Sequence, residues 1–152
     1  MTVPETHLGA DLRLLANLES QAGRDRGTDL LVGDDEPRDL VTVGGHGNLA
    51  QALLLRFLTP LGELTVLGHP DYGSRLYDLI GELNNDANRR RARMYVLQAL
   101  ALEPRVAAVR ALQVRQSADR VGVLISMSLD VIDSDTPLNL VFPFSLEGGA
   151  TP

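Results

Sequence analysis

Glu103, Pro104 and Arg105 set an acid and a base on either side of a proline. Proline disfavours helical geometry at the residue before it, so the triplet predicts a helix ending at Glu103 and a turn into extended chain. At such a corner the two charges can pair with each other, hold nearby backbone, or do acid–base chemistry. Hydrolysis of that kind needs two carboxylates about 5–10 Å apart, one with a raised pKa. Glu63 and Glu103 are the acids in apolar or turn-rich contexts, with Asp71 and Asp78 as further options, and nothing in their spacing sets two of them around a cleft. His7, His46 and His69 stand far apart and carry no HExxH-type spacing, so no metal site is expected. Gly44-Gly45-His46-Gly47 precedes a helical run and could offer amides to an anion, but no Lys-Ser/Thr follows and a hinge with an N-cap is the simpler reading. Nucleophile elbows, P-loops and dinucleotide fingerprints are absent.

Composition narrows the classes further. A chain of 152 residues is read as one domain, 44% hydrophobic and 22% charged, which is ordinary for a globular protein. Aromatics make up only 4% and tryptophan is missing, so aliphatic residues must fill the core and stacking platforms for bases or sugars are scarce. Net charge is −6, which argues against a nucleic-acid partner, and all 14 basic residues are arginine. There is no cysteine, which removes disulfides and thiolate chemistry. The first residues lack a basic segment followed by an apolar one, and no run approaches a membrane span of about 20 apolar residues. Folding in the cytoplasm is expected, with no membrane partner and no cofactor.

The elements that must position these residues follow from periodicity. Residues 1–38 read as a partly ordered N-terminal extension, with Leu8, Leu12, Leu15 and Leu18 at the spacing of a short amphipathic helix. Residues 39–147 form the main domain, and 148–152 a disordered tail. Asn48 is placed as N-cap of a first helix with Leu49, Leu53 and Phe57 on its apolar face, stopped by Pro60 and Gly62. Ser74 caps a second helix that buries Leu76, Leu79, Ile80 and Leu83. Asn84-Asn85-Asp86 opens a third, running from about residue 87 to 102, with Met94, Val96, Leu97, Leu100 and Ala101 facing inward. Three strands follow at 106–114, 121–132 and 138–146, the second with the cleanest alternation in the chain. Pro143 sends the last strand to an edge, where Leu138, Asn139, Leu140, Val141, Phe142 and Phe144 are candidates for pairing with another chain. Arg89, Arg90 and Arg93, crowded with Arg91 at the start of the third helix, are a possible docking patch for an acidic surface. The expected class is α+β, three helices packed on a small, mostly antiparallel sheet.

Four stretches carry a family resemblance over about residues 39–147. These are Asn48-Leu49-Ala50-Gln51-Ala52, then Leu58-Thr59-Pro60-Leu61-Gly62-Glu63, then Pro70-Asp71-Tyr72-Gly73-Ser74-Arg75-Leu76, and Glu103-Pro104-Arg105 followed by Val106. In this order they resemble the baseplate-wedge, sheath-initiator proteins of contractile phage tails, with relatives in type VI secretion baseplates, R-type bacteriocins and extracellular contractile injection systems. The resemblance implies a non-enzymatic structural part of the baseplate, present in several copies in a ring-like assembly. Its implied partners are sheath subunits, wedge proteins and hub or tube proteins, and sheath arms are expected to add strands to its sheet. The matched motif positions are Thr59, Gly62, Glu63, Pro70, Tyr72, Gly73, Leu76, Glu103, Pro104 and Arg105. Some family members carry a lysozyme-like label. A small cell-envelope glycan hydrolase and a free regulatory anti-adaptor on the same fold are therefore the alternatives.

Overall fold

In the computed structural model, residues 6–15, 30, 32–34 and 39–147 are described. The chain is α+β, but the expected three helices are two: α1 (Gly45–Leu58) and α2 (Asp86–Ala101). In place of the single expected sheet there are two antiparallel ones among the described residues. A two-stranded sheet joins β1 (Ala10–Leu12) to β2 (Thr42–Gly44), and a three-stranded sheet runs in the order β3 (Val106–Gln116), β4 (Gly122–Val131), β5 (Leu138–Ser145).

The missing helix is a five-residue 3-10 turn, Arg75–Leu79. Leu76 and Leu79, three apart, suit either geometry, because side chains at i and i+3 eclipse in a 3-10 turn. Gly73 at φ 109° before it and Gly81 at φ 89° after it leave no length for an α-helix. Ser74 caps the turn as expected, its hydroxyl accepting from the Leu76 amide at 3.4 Å, while Leu83 is 77% exposed instead of buried.

α1 is apolar nearly all round, the pattern of an interior helix. Leu49, Leu53, Leu54 and Phe57 are fully buried, and Phe57 stacks on Phe142 of β5 with centroids 5.1 Å apart. Gly44, not Asn48, occupies its N-cap. α2 begins where the sequence placed it, with the Asn85 side chain accepting from the Asn88 amide at 2.8 Å. Its inward face is Ala92, Tyr95, Val96, Ala99 and Leu100, leaving Met94 and Ala101 exposed. The expected stripe was thus only partly the buried one.

The expected N-terminal helix is also replaced. A 3-10 turn at Thr6–Leu8 ends at Gly9, whose φ of 70° breaks the helical path, and β1 then pairs with β2. Leu8 and Leu15 are nevertheless core residues, whereas Leu18 lies outside the described residues. Two buried amides on α1 hold this arm. Asn48 donates to the Leu8 carbonyl at 2.9 Å; Gln51 donates to Leu12 O at 2.9 Å and accepts from the Leu14 and Leu15 amides at 2.8 and 3.2 Å. A side-chain amide offers one acceptor and two donors, so Gln51 here acts as a stand-in strand.

Candidate functional site

The turn between α2 and β3 brings the expected acid and base together. Glu103 is 5% exposed and grips Arg105 with both oxygens: Nε donates to Oε1 at 2.6 Å and Nη2 to Oε2 at 3.0 Å. The Arg105 backbone amide adds a third bond to Oε1 at 3.3 Å, and Arg105 Nη1 reaches on to the Leu8 carbonyl at 3.3 Å. One guanidinium therefore ties the corner to the N-terminal arm. Arg56 of α1 comes within 4.0 Å of Glu103 and lies over the ring of Tyr72, 4.8 Å from its centroid.

Electrostatics fixes what this cluster can do. Burial pushes the Glu103 carboxyl upward, but the hydrogen bonds and charge of Arg105, then the charge of Arg56, more than offset it, and its pKa is lowered. The hydrogen bond to Glu103 raises Arg105. Burial raises Tyr72 against the opposing charge of Arg56. A carboxylate held ionised by two guanidiniums is poorly suited to keep the proton a general acid must deliver. Chemically, the corner is a charge-assisted bracket.

Of the motif positions, Tyr72, Glu103 and Arg105 meet in this cluster. Thr59 closes α1, its hydroxyl donating to Leu55 O at 2.7 Å. Gly62, at φ 84°, donates to Tyr72 O at 3.2 Å. Gly73 is wedged so closely that a Cβ would stand 2.6 Å from Thr59 O. Leu76 is fully buried, whereas Glu63, Pro70 and Pro104 are exposed and Glu63 stands apart from the cluster. Arg56 and Gln51 were missed. Their signal was a charge and an amide inside the apolar run of α1.

The β5 edge can be read bond by bond. Gly122 turns both its amide and its carbonyl toward the β3 side, to Ser117 Oγ at 3.0 Å and from Ser117 N at 3.0 Å. Alternation then aims Val123, Ile125, Met127 and Leu129 at β5, where they pair with Phe144, Phe142, Leu140 and Leu138. Asn139, Val141, Pro143 and Ser145 consequently point their backbone outward, and the proline nitrogen costs β4 no bond. The side chains of Leu138, Leu140, Phe142 and Phe144 are core, 0–8% exposed, so only Asn139 and Val141 of the six candidate residues face solvent.

The other edge, β3, is guarded. Register shifts interrupt it between Val106 and Ala108 and between Val109 and Ala111. Arg93 Nε covers the outward carbonyl of Leu112 at 3.4 Å. Arg89 is likewise engaged, bonding Asn84 O at 3.2 Å and Oδ1 at 2.7 Å and pairing with Asp86, while Arg90 is exposed. The three arginines therefore do not act as one free patch.

Among the described residues no group of three or more His, Cys, Asp or Glu could hold a metal, and no helix is long and apolar enough to cross a membrane. Neither a protein-family model nor a curated protein matches the sequence. The fold is similar to that of a provisionally named tail lysozyme from Geobacter sulfurreducens, with a TM-score of 0.59 and 27% identity over 68% of this chain and 92% of that one. That likeness points to a phage-tail-related fold.

Proposed function

We propose that the chain is a non-enzymatic baseplate component of a contractile tail or injection system, and that it starts sheath assembly by accepting strands from sheath subunits along β5. The observation that carries this reading is the asymmetry of the sheet: β3 is broken by register shifts and capped by Arg93, while β5 offers a row of outward amides and carbonyls. The tail-related neighbour supports the setting. The Glu103–Arg105 bracket holds the helix end, the sheet and the N-terminal arm in one rigid frame behind that edge. Wedge and tube proteins would hold several such copies in a ring.

The test is Val141→Pro, which removes one outward amide without touching the β4 ladder. Purified sheath subunits should fail to polymerise on baseplates carrying the variant, while tubes still form; sheaths of normal length would refute strand addition. The neighbour's name supplies the rival reading, a glycan hydrolase. Purified protein clearing a peptidoglycan suspension, and losing that activity in Glu103→Gln, would establish the rival.

A further inference from the structure

The loop between α1 and the 75–79 turn takes no part in the β5 edge, yet it is stiff and exposes apolar side chains. Its base is tied by Ser74 N to Thr59 O at 2.9 Å and Leu61 N to Ser74 O at 3.0 Å; its tip by Gly68 N to Thr65 O at 3.0 Å and His69 N to Leu64 O at 3.1 Å. At that tip Val66 is 91% and Leu67 69% exposed. A floppy loop could fold such side chains away, but a braced one holds them in water at a standing cost. Immediately beyond Leu67 the chain lines a cleft of about 300 Å³ with Arg56, His69, Pro70, Asp71, Tyr72 and Leu102. Leu102 is itself 51% exposed.

One guanidinium at the cleft is only partly satisfied. Two guanidiniums, Arg56 and Arg105, share the one carboxylate of Glu103, and Arg105 takes both of its oxygens. Arg56 is left with a 4.0 Å approach to Glu103 and a buried Nε that has no hydrogen-bond partner. A buried donor without a partner is costly, so an acceptor that enters the cleft and lets Arg56 re-aim gains more than a surface ion pair would. Asp71 in the lining keeps the cleft from being broadly basic, so short-range bonding to one cation, rather than a positive field, sets the choice of ligand.

We propose that this loop and cleft dock a partner protein through a segment that sets a carboxylate on Arg56 and apolar side chains against Val66, Leu67 and Leu102. A small anion would satisfy the guanidinium but leave the three apolar side chains in water. The surface shares no residue with β5.

The probe is a random 12-residue phage-display library panned against the immobilised full chain. Enriched peptides should carry an acid flanked by apolar residues and should shift the amides of Gly68, His69 and Tyr72 in an NMR titration. Replacing the acid by its amide should weaken binding about tenfold or more in wild type and have no effect in Arg56→Gln. The double variant Val66→Ser, Leu67→Ser alters only exposed side chains, so it keeps the fold and should weaken every selected peptide. Enrichment of peptides without an acid, equal binding to Arg56→Gln, shifts confined to β5, or no enrichment would overturn the inference. So would shifts at Gly68 and Tyr72 produced by inorganic phosphate alone, which would assign the cleft to a small anion.

Discussion

Replacing Glu103 by glutamine should expose how much the bracket contributes. The change keeps shape and removes one negative charge from a site where two guanidiniums depend on it. Three bonds from Arg105, at 2.6, 3.0 and 3.3 Å, lose their charge assistance, and Arg56 at 4.0 Å loses its only nearby counter-charge in the cluster. Breaking a fully buried pair costs about 3–5 kcal/mol. Arg105 is a quarter exposed and can turn partly to water, so about 2–3 kcal/mol is the expected loss at neutral pH, allowing for that screening. For a chain of this size that lowers the melting temperature by about 4–12 °C. The pH dependence follows from the lowered pKa of Glu103. Its contribution is complete above the ordinary carboxyl value of 4.5 and fades as pH falls through the depressed folded value. Urea unfolding of wild type and Glu103→Gln should therefore differ most near pH 7 and converge in acid. Glu63→Gln, on an exposed loop, serves as control. An unchanged midpoint at pH 7, or a difference that stays constant down to pH 3, would refute the argument.

Other perturbations separate parts of the frame. Gly73→Ala would drive a Cβ to 2.6 Å from Thr59 O and 2.7 Å from Pro60 O and should cost about 3 kcal/mol or more. Gly68→Ala, also at positive φ but in open space, should cost only about 1 kcal/mol by the same urea assay. Equal costs would show that conformation, not close approach, sets the price at Gly73. Gln51→Ala strands the amides of Leu14 and Leu15, and their hydrogen exchange should quicken about 30-fold or more, with little change in β4. Phe142→Ala removes the ring stacked on Phe57 and should cost about 3–5 kcal/mol, in contrast to the exposed Val141→Ser at under about 0.5 kcal/mol.

What the sequence shows and what it hides divide along physical lines. The alternation from Val121 to Val131 and the stops at Pro60, Asn85 and Pro104 are local, so β4 and both α-helices were legible within a few residues. The 3-10 turn was not, because Leu76 and Leu79 sit at a spacing that both helical geometries share. Leu8, Leu12 and Leu15 misled for a related reason. Their spacing reads as helical, but the positive φ at Gly9 ends a 3-10 turn at Leu8, and pairing with β2 puts Ala10–Leu12 in a strand. In the candidate site, Glu103 and Arg105 were legible as neighbours two residues apart. Arg56 and Gln51 were not, since their partners lie far along the chain and only folding brings them together.

The parity of Pro143 bears on which chains can use the open edge. Two copies meeting edge to edge about Val141 would set Pro143 of each opposite Asn139 of the other. Each such pairing lacks the proline amide, so a symmetric dimer carries the defect twice, whereas a foreign strand carries it once. With a ladder bond worth about 0.5–1.5 kcal/mol, that difference disfavours self-association by the same amount without weakening the edge for its visitor. One imino acid thus lets the protein leave β5 unpaired on its outer side among the described residues while discouraging its own copies from stacking there.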